Sequence, residues 1–168
     1  MIRTAIAAAT ALAVSAGAAA AQDDDAFVEF EVLKPSVATK LAVATMEACR
    51  AAGYQVGVAV VDRFGVTQVF VRDRFAGAHV EETATRKAWT AASFRTDTLE
   101  LDRVTRPGEL SAGIRNISRA LPLGGGIVIE AKGSVIGGLG VSGAPGPDLD
   151  DECAREGLTA IEDELLGF

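Results

Sequence analysis

The sequence is poor in the residues that most chemistry needs. It has one histidine, His79, and two cysteines, Cys49 and Cys153, with no C-x-x-C pair among its 168 residues. That inventory matches no zinc motif and is too small for most hydrolases. Basic residues are also scarce. Sixteen Lys and Arg stand against 23 Asp and Glu, for a formal charge of −7. No basic stripe exists to displace counterions from phosphates, so nucleic acid is excluded as a partner. An anionic membrane surface is excluded for the same reason. Beyond the first residues, no apolar run approaches the length that spans a bilayer.

What is present begins with an export signal. Arg3 supplies a positive start, residues 5–14 are almost all Ala, Leu, Ile and Val, and Ala19 and Ala21 fit an A-x-A cleavage site. Residues 1–21 read as a secretory signal peptide, too short to span a membrane. The expected location is periplasmic or secreted, with no membrane insertion. The mature chain, residues 22–168, is long enough for one domain with its own core. Losing Arg3 leaves 15 basic against 23 acidic residues, a net charge near −8. The acidic surplus at residues 23–25, 148–152 and 162–164 reads as solvated ends. An oxidising compartment allows Cys49 and Cys153 to pair; two buried thiols acting as small hydrophobes remain the alternative.

The periodicities predict an α+β order. Residues 27–33 (FVEFEVL) alternate like a short first strand. A helix follows from Pro35 to about Ala52, closed by Gly53. Val-rich runs at 56–61 and 66–72 flank a turn ending in Gly65 and predict a hairpin. Residues 80–94 read as a helix with small residues at Ala84, Ala88, Ala91 and Ala92, and residues 96–104 as a shorter one. A second hairpin spans 126–131 and 134–141. The last helix runs to about Leu166, capped by Asp148 or Asp150. Short hairpins imply a mostly antiparallel sheet covered by helices.

Several motifs resolve against the obvious chemistry. Gly138, Gly140 and Gly143 have the G-x-G-x-x-G spacing of a dinucleotide site but precede an Ala-Pro-Gly-Pro turn, not a helix start with further α/β units. They read as a strand that lets another backbone or a flat ligand come close. The run 124–126 lacks the Gly-Lys-Ser/Thr ending of a phosphate loop. Ser142 is not in a G-x-S-x-G elbow. Glu81/Glu82 and Asp150/Asp151 are adjacent on helices and do not face each other. His79 stands at a helix start beside a glycine-containing loop. Thr83, Lys87, Thr90 and Phe94 follow it at helical spacing. An axial imidazole with cationic and hydroxyl partners for propionates suits a porphyrin, and Lys87, Arg86, Arg74 and Thr90 are the candidates for those partners.

Four segments carry a family resemblance: GYQVGVAVVDRFG (53–65), AGAHVEETATRKAWTAASF (76–94), LGGGIVIEAKGSVIGGLGVSGAPG (123–146) and LDDECAREGLTAI (149–161). In order and spacing the chain resembles the GlcG/HbpS family of haem-binding proteins, itself similar to the C-terminal domain of PduO-type corrinoid adenosyltransferases. The resemblance implies a profilin-like layered fold, with a central antiparallel sheet of about five strands flanked by helices, and a homo-oligomer. It implies haem, or a similar flat small molecule, as ligand. His79 is the first choice of axial metal ligand and Thr90 the second, with Arg86, Lys87, Gly125 and Gly126 on the pocket wall. One departure is plain: the family's G-G-G-[VLI]-P-I is Gly126-Ile127-Val128-Ile129 here, without the proline.

Three functional readings follow. The first is an exported haem carrier, scavenger or sensor module. The second is an enzyme acting on a carbonyl or lactone metabolite, with Lys87 as base and glycine amides as an anion hole. The third is an oligomeric accessory subunit of an envelope sensor protein.

Overall fold

The computed structural model describes residues 26–166. The signal peptide assigned to residues 1–21 lies outside them. Helix α1 (Pro35–Ala51) starts with proline at its first position, where the fixed φ suits a helix and the missing N–H costs nothing. It buries Ala38, Leu41, Ala42, Thr45 and Cys49, a stripe of helical period. Gly53, at φ +90°, ends it.

Strands β1 (Gly57–Asp62) and β2 (Thr67–Arg72) form the first hairpin. The Asp62 carboxylate accepts the Phe64 and Val66 N–H groups at 2.8 and 3.0 Å, an Asx-type closure of the turn. Helix α2 (Val80–Phe94) follows, with Glu81 and Glu82 in its first turn on the positive end of the helix dipole. Helix α3 (Thr98–Val104) leads into a mostly exposed stretch whose only regular piece is a 3₁₀ turn, Ala112–Asn116. Strands β3 (Gly126–Ala131) and β4 (Ser134–Ser142) turn tightly at Lys132 and Gly133, both at positive φ. Helices α4 (Pro147–Thr159) and α5 (Glu162–Leu166) end the described chain.

The strands form one sheet in the order β2-β1-β4-β3, antiparallel throughout. Alternation along β1 divides the layers. Val58 and Val60 face the main core with Leu41, Leu139, Val141, Ile127 and Ile129 under α1 and α4. Ala59 and Val61 face Ala84, Ala88 and Ala92 of α2. The α2 side is thin because its sheet residues are small. A Cβ on Gly138 or Gly140 would fall on the carbonyl oxygens of Ala88 and Ala84. The G-x-G spacing therefore admits a helix backbone here.

The α+β layering holds, with four corrections. The described sheet has four strands, not about five. Residues 27–33 alternate as a strand should, yet they join no ladder. Phe30 meets Phe64 edge-on at 5.4 Å and Glu31 pairs with Lys132 at 3.1 Å, so the segment crosses the two hairpin turns instead of lying along a sheet edge. Neither Asp148 nor Asp150 caps the last helix. Gly146 takes that position without a side-chain bond, and Asp150 is drawn inward. The last helix is two, broken at residues 160–161.

Cys49 and Cys153 are joined, with Cα atoms 5.1 Å apart. The bond ties α1 to α4 across 104 residues of sequence. A loop of that size removes denatured-chain entropy equivalent to about 4–5 kcal/mol.

Candidate functional site

His79 occupies the position before α2 and is exposed. Gly77 makes room for its ring: a Cβ there would sit 2.7 Å from Nδ1. Among the described residues the imidazole has no hydrogen-bond partner, so both ring nitrogens remain open to a ligand. The ring borders a shallow hollow of about 340 Å³ shared with Ala78, Glu81, Glu82, Thr85 and Arg86. Arg86 is tethered. Its guanidinium meets Glu82 at 3.1 Å, the Arg119 carbonyl at 3.3 Å and the Ala120 carbonyl at 3.0 Å. It therefore pins residues 119–120 along α2.

The rest of the helix face turns inward. The Thr83 hydroxyl lies 2.7 Å from the Ser142 hydroxyl, fastening α2 to the end of β4. Thr90 is fully buried; it donates to the Arg86 carbonyl and accepts the Leu121 N–H at 2.9 Å. Lys87, only 1% exposed, donates from Nζ to Asp150 Oδ2 at 2.7 Å and to the Val141 carbonyl at 3.0 Å. Asp150 Oδ1 accepts the Ala144 N–H at 2.9 Å.

Burial pushes the Lys87 ammonium below the usual lysine range, and the neighbouring Asp150 charge partly offsets this. Burial likewise pushes the Asp150 carboxyl up against the opposing pull of Lys87 and the Ala144 and Gly143 amides.

Gly125, at φ +104°, closes over this pair. A Cβ there would lie 2.6 Å from that of Asp150, 2.7 Å from the Val141 oxygen and 3.1 Å from Lys87 Nζ. A Cβ on Gly126 would meet the Lys87 carbonyl and the Thr98 side chain.

The structure thus brings His79 and Arg86 to one open hollow. It places Lys87, Thr90, Gly125 and Gly126 in a packed interior, apart from that hollow. Lys87, proposed as the base of a carbonyl- or lactone-enzyme, is buried with its ammonium committed to Asp150 and the Val141 carbonyl. Helical spacing put these side chains on one face, but a helix face half covered by a sheet is not one site. Asp150 was invisible as the partner of Lys87, because 63 residues separate them and no local pattern links them.

Residues 33–159 match the family described as haem degrading protein, HbpS-like, and the chain belongs to that family. It is 33% identical over 124 residues to the corrinoid adenosyltransferase PduO of Salmonella typhimurium, across 73% of this chain and 37% of the relative. The chain thus spans about a third of the length of that enzyme. A crystal structure of a double mutant of HbpS from Streptomyces reticuli is similar with a TM-score of 0.77, at 38% identity, covering 87% of this chain and 98% of that one. The haem complex of PduOC is similar with a TM-score of 0.73, at 31% identity, covering 78% and 96%.

Proposed function

We propose that this chain is an exported haem-binding protein that takes the haem iron on His79. The observation that carries the reading is membership of the HbpS-like family together with likeness, at 31% identity, to a domain crystallised with haem. His79 is the residue that would hold the haem iron. An imidazole with no partner among the described residues stands over an open hollow at a helix start, and Arg86, held by Glu82 and the Arg119 and Ala120 carbonyls, lines the same hollow. Bound haem would supply an iron centre whose behaviour the imidazole and the surrounding polarity tune. The chain's own part is to hold the ring nitrogen in place through the α2 anchor of Thr83 on Ser142. The hollow is shallow and one-sided, which favours a site completed by a second copy of the chain. On this reading the exported protein serves as a carrier or scavenger, or as an oligomeric partner of an envelope sensor.

Haemin titration of the purified protein, read at the Soret band, tests this. His79→Ala should shift the band and weaken binding. Identical spectra for the wild type and His79→Ala would remove His79 from the site. Absence of any Soret change in the wild type would remove the function. The family description also names haem degradation, and loss of the Soret band over time with a reductant would favour that activity for this chain.

A further inference from the structure

We propose a second binding site, for a small organic carboxylate with an apolar body and a single negative charge, in the cleft at the outer edge of β3. This is the largest cleft among those described, about 470 Å³, within the range of small-molecule sites. Ile127, Val128, Leu158 and Leu165 supply its apolar lining. Arg95 lines it too, and three facts set this residue apart.

First, Arg95 ends α2 in the left-handed region, φ 53° and ψ 40°. Helices usually place glycine there, because a Cβ is strained. Second, among the described residues every other arginine meets a carboxylate, a carbonyl or an aromatic face, and the Arg95 guanidinium meets none. Third, its neighbour across the cleft is already organised. Arg155 spends Nε on Asp151 at 2.7 Å and one terminal nitrogen on Asp97 at 2.9 Å. Asp97 in turn caps the edge N–H of Val128 at 2.9 Å. A strained, exposed, unpaired guanidinium against a fixed wall is the arrangement that receives a carboxylate in bidentate fashion.

Glu130 and Glu162 also line the cleft. With Asp97 they outnumber Arg95 and Arg155 by one charge, so a single carboxylate is held only where it meets the Arg95 guanidinium directly and a second one is repelled. The site lies at the far end of α2 from His79, about 22 Å along a fifteen-residue helix.

Calorimetric titration of the oxidised full chain with octanoate, and with octanedioate as the dianion, tests the assignment. Octanoate should bind, and octanedioate should bind at least about tenfold more weakly. Arg95→Gly should weaken octanoate by about tenfold or more, the worth of one charge-assisted pair. The same variant should hold or raise the melting temperature by about 2–4 °C as strain is relieved. Arg95→Lys keeps the charge but loses the two-pronged donor, and its affinity should fall between those of Arg95→Gly and the wild type. His79→Ala should leave octanoate binding unchanged, and Arg95→Gly should leave the haemin titration unchanged, so the two sites fail separately. Undetectable octanoate binding, equal affinity for both acids, or an Arg95→Gly affinity within twofold of wild type would overturn the proposal.

Discussion

Replacing Lys87 with methionine removes the cation of the buried pair and keeps most of its apolar stem. Asp150 is then left with the backbone amides of Ala144 and Gly143 and no countercharge, at 5% side-chain exposure. Removing one partner of a buried pair costs about 3–5 kcal/mol, a large share of the roughly 5–15 kcal/mol that holds a domain folded. The loss should depend on pH. Without Lys87 the folded-state pKa of Asp150 rises further above its unfolded value. The folded protein then binds a proton that the unfolded chain has released, so stability falls as pH rises above about 4. Lys87→Met should therefore differ least from wild type near pH 4 and most near pH 7. Adding Asp150→Asn removes the orphan charge and keeps a carbonyl acceptor for Ala144. The double variant should recover most of the deficit, with a coupling energy of about 2–3 kcal/mol. Urea denaturation followed by circular dichroism at pH 4.5 and 7, at fixed protein concentration and without reductant, measures all four corners. A Lys87→Met deficit below about 1 kcal/mol, or one that does not change with pH, would refute the account of the pair.

Gly140→Ala places a methyl group on the Ala84 carbonyl and 2.7 Å from the Ala88 nitrogen. Backbone cannot yield as a side-chain tip can, so the cost should reach about 1–3 kcal/mol or more; Gly113→Ala, with open space around it, serves as the quiet control in the same thermal melts. Asp102 accepts from Arg115 at 2.6 Å and Arg106 at 2.9 Å, and these two hold its carboxyl below the usual range. A depressed folded-state pKa gives stability that is present above about pH 4 and lost as pH falls through the folded value. Asp102→Asn should thus flatten the acid limb of a plot of urea midpoint against pH, and an unchanged limb would exclude the contribution.

How much was legible follows from the range of the forces. The bounds of α2 and the two hairpins were legible because caps, turn residues and period-2 or period-3.6 patterns act within a few positions. Helix α2 shows the limit. Its spacing grouped His79, Lys87 and Thr90 correctly on one face, yet the Ala and Gly residues that draw it onto the sheet bury the last two and leave the first outside. The FVEFEVL segment shows the same limit. Alternation gives a strand its two faces, but a ladder needs a free edge in register, and these residues run across the turns.

The sequence alone determined what is local or compositional: an acidic chain with no basic stripe, helices and hairpins in a fixed order, one imidazole at a helix start, and a family signature. Tertiary structure decided the rest: Cys49 against Cys153, Lys87 against Asp150, and Arg95 left, among the described residues, without a partner beside the edge of the sheet. Pairings across 63 and 104 residues arise from how layers stack and what burial demands of each charge. No stretch of sequence carries that information in its own neighbourhood.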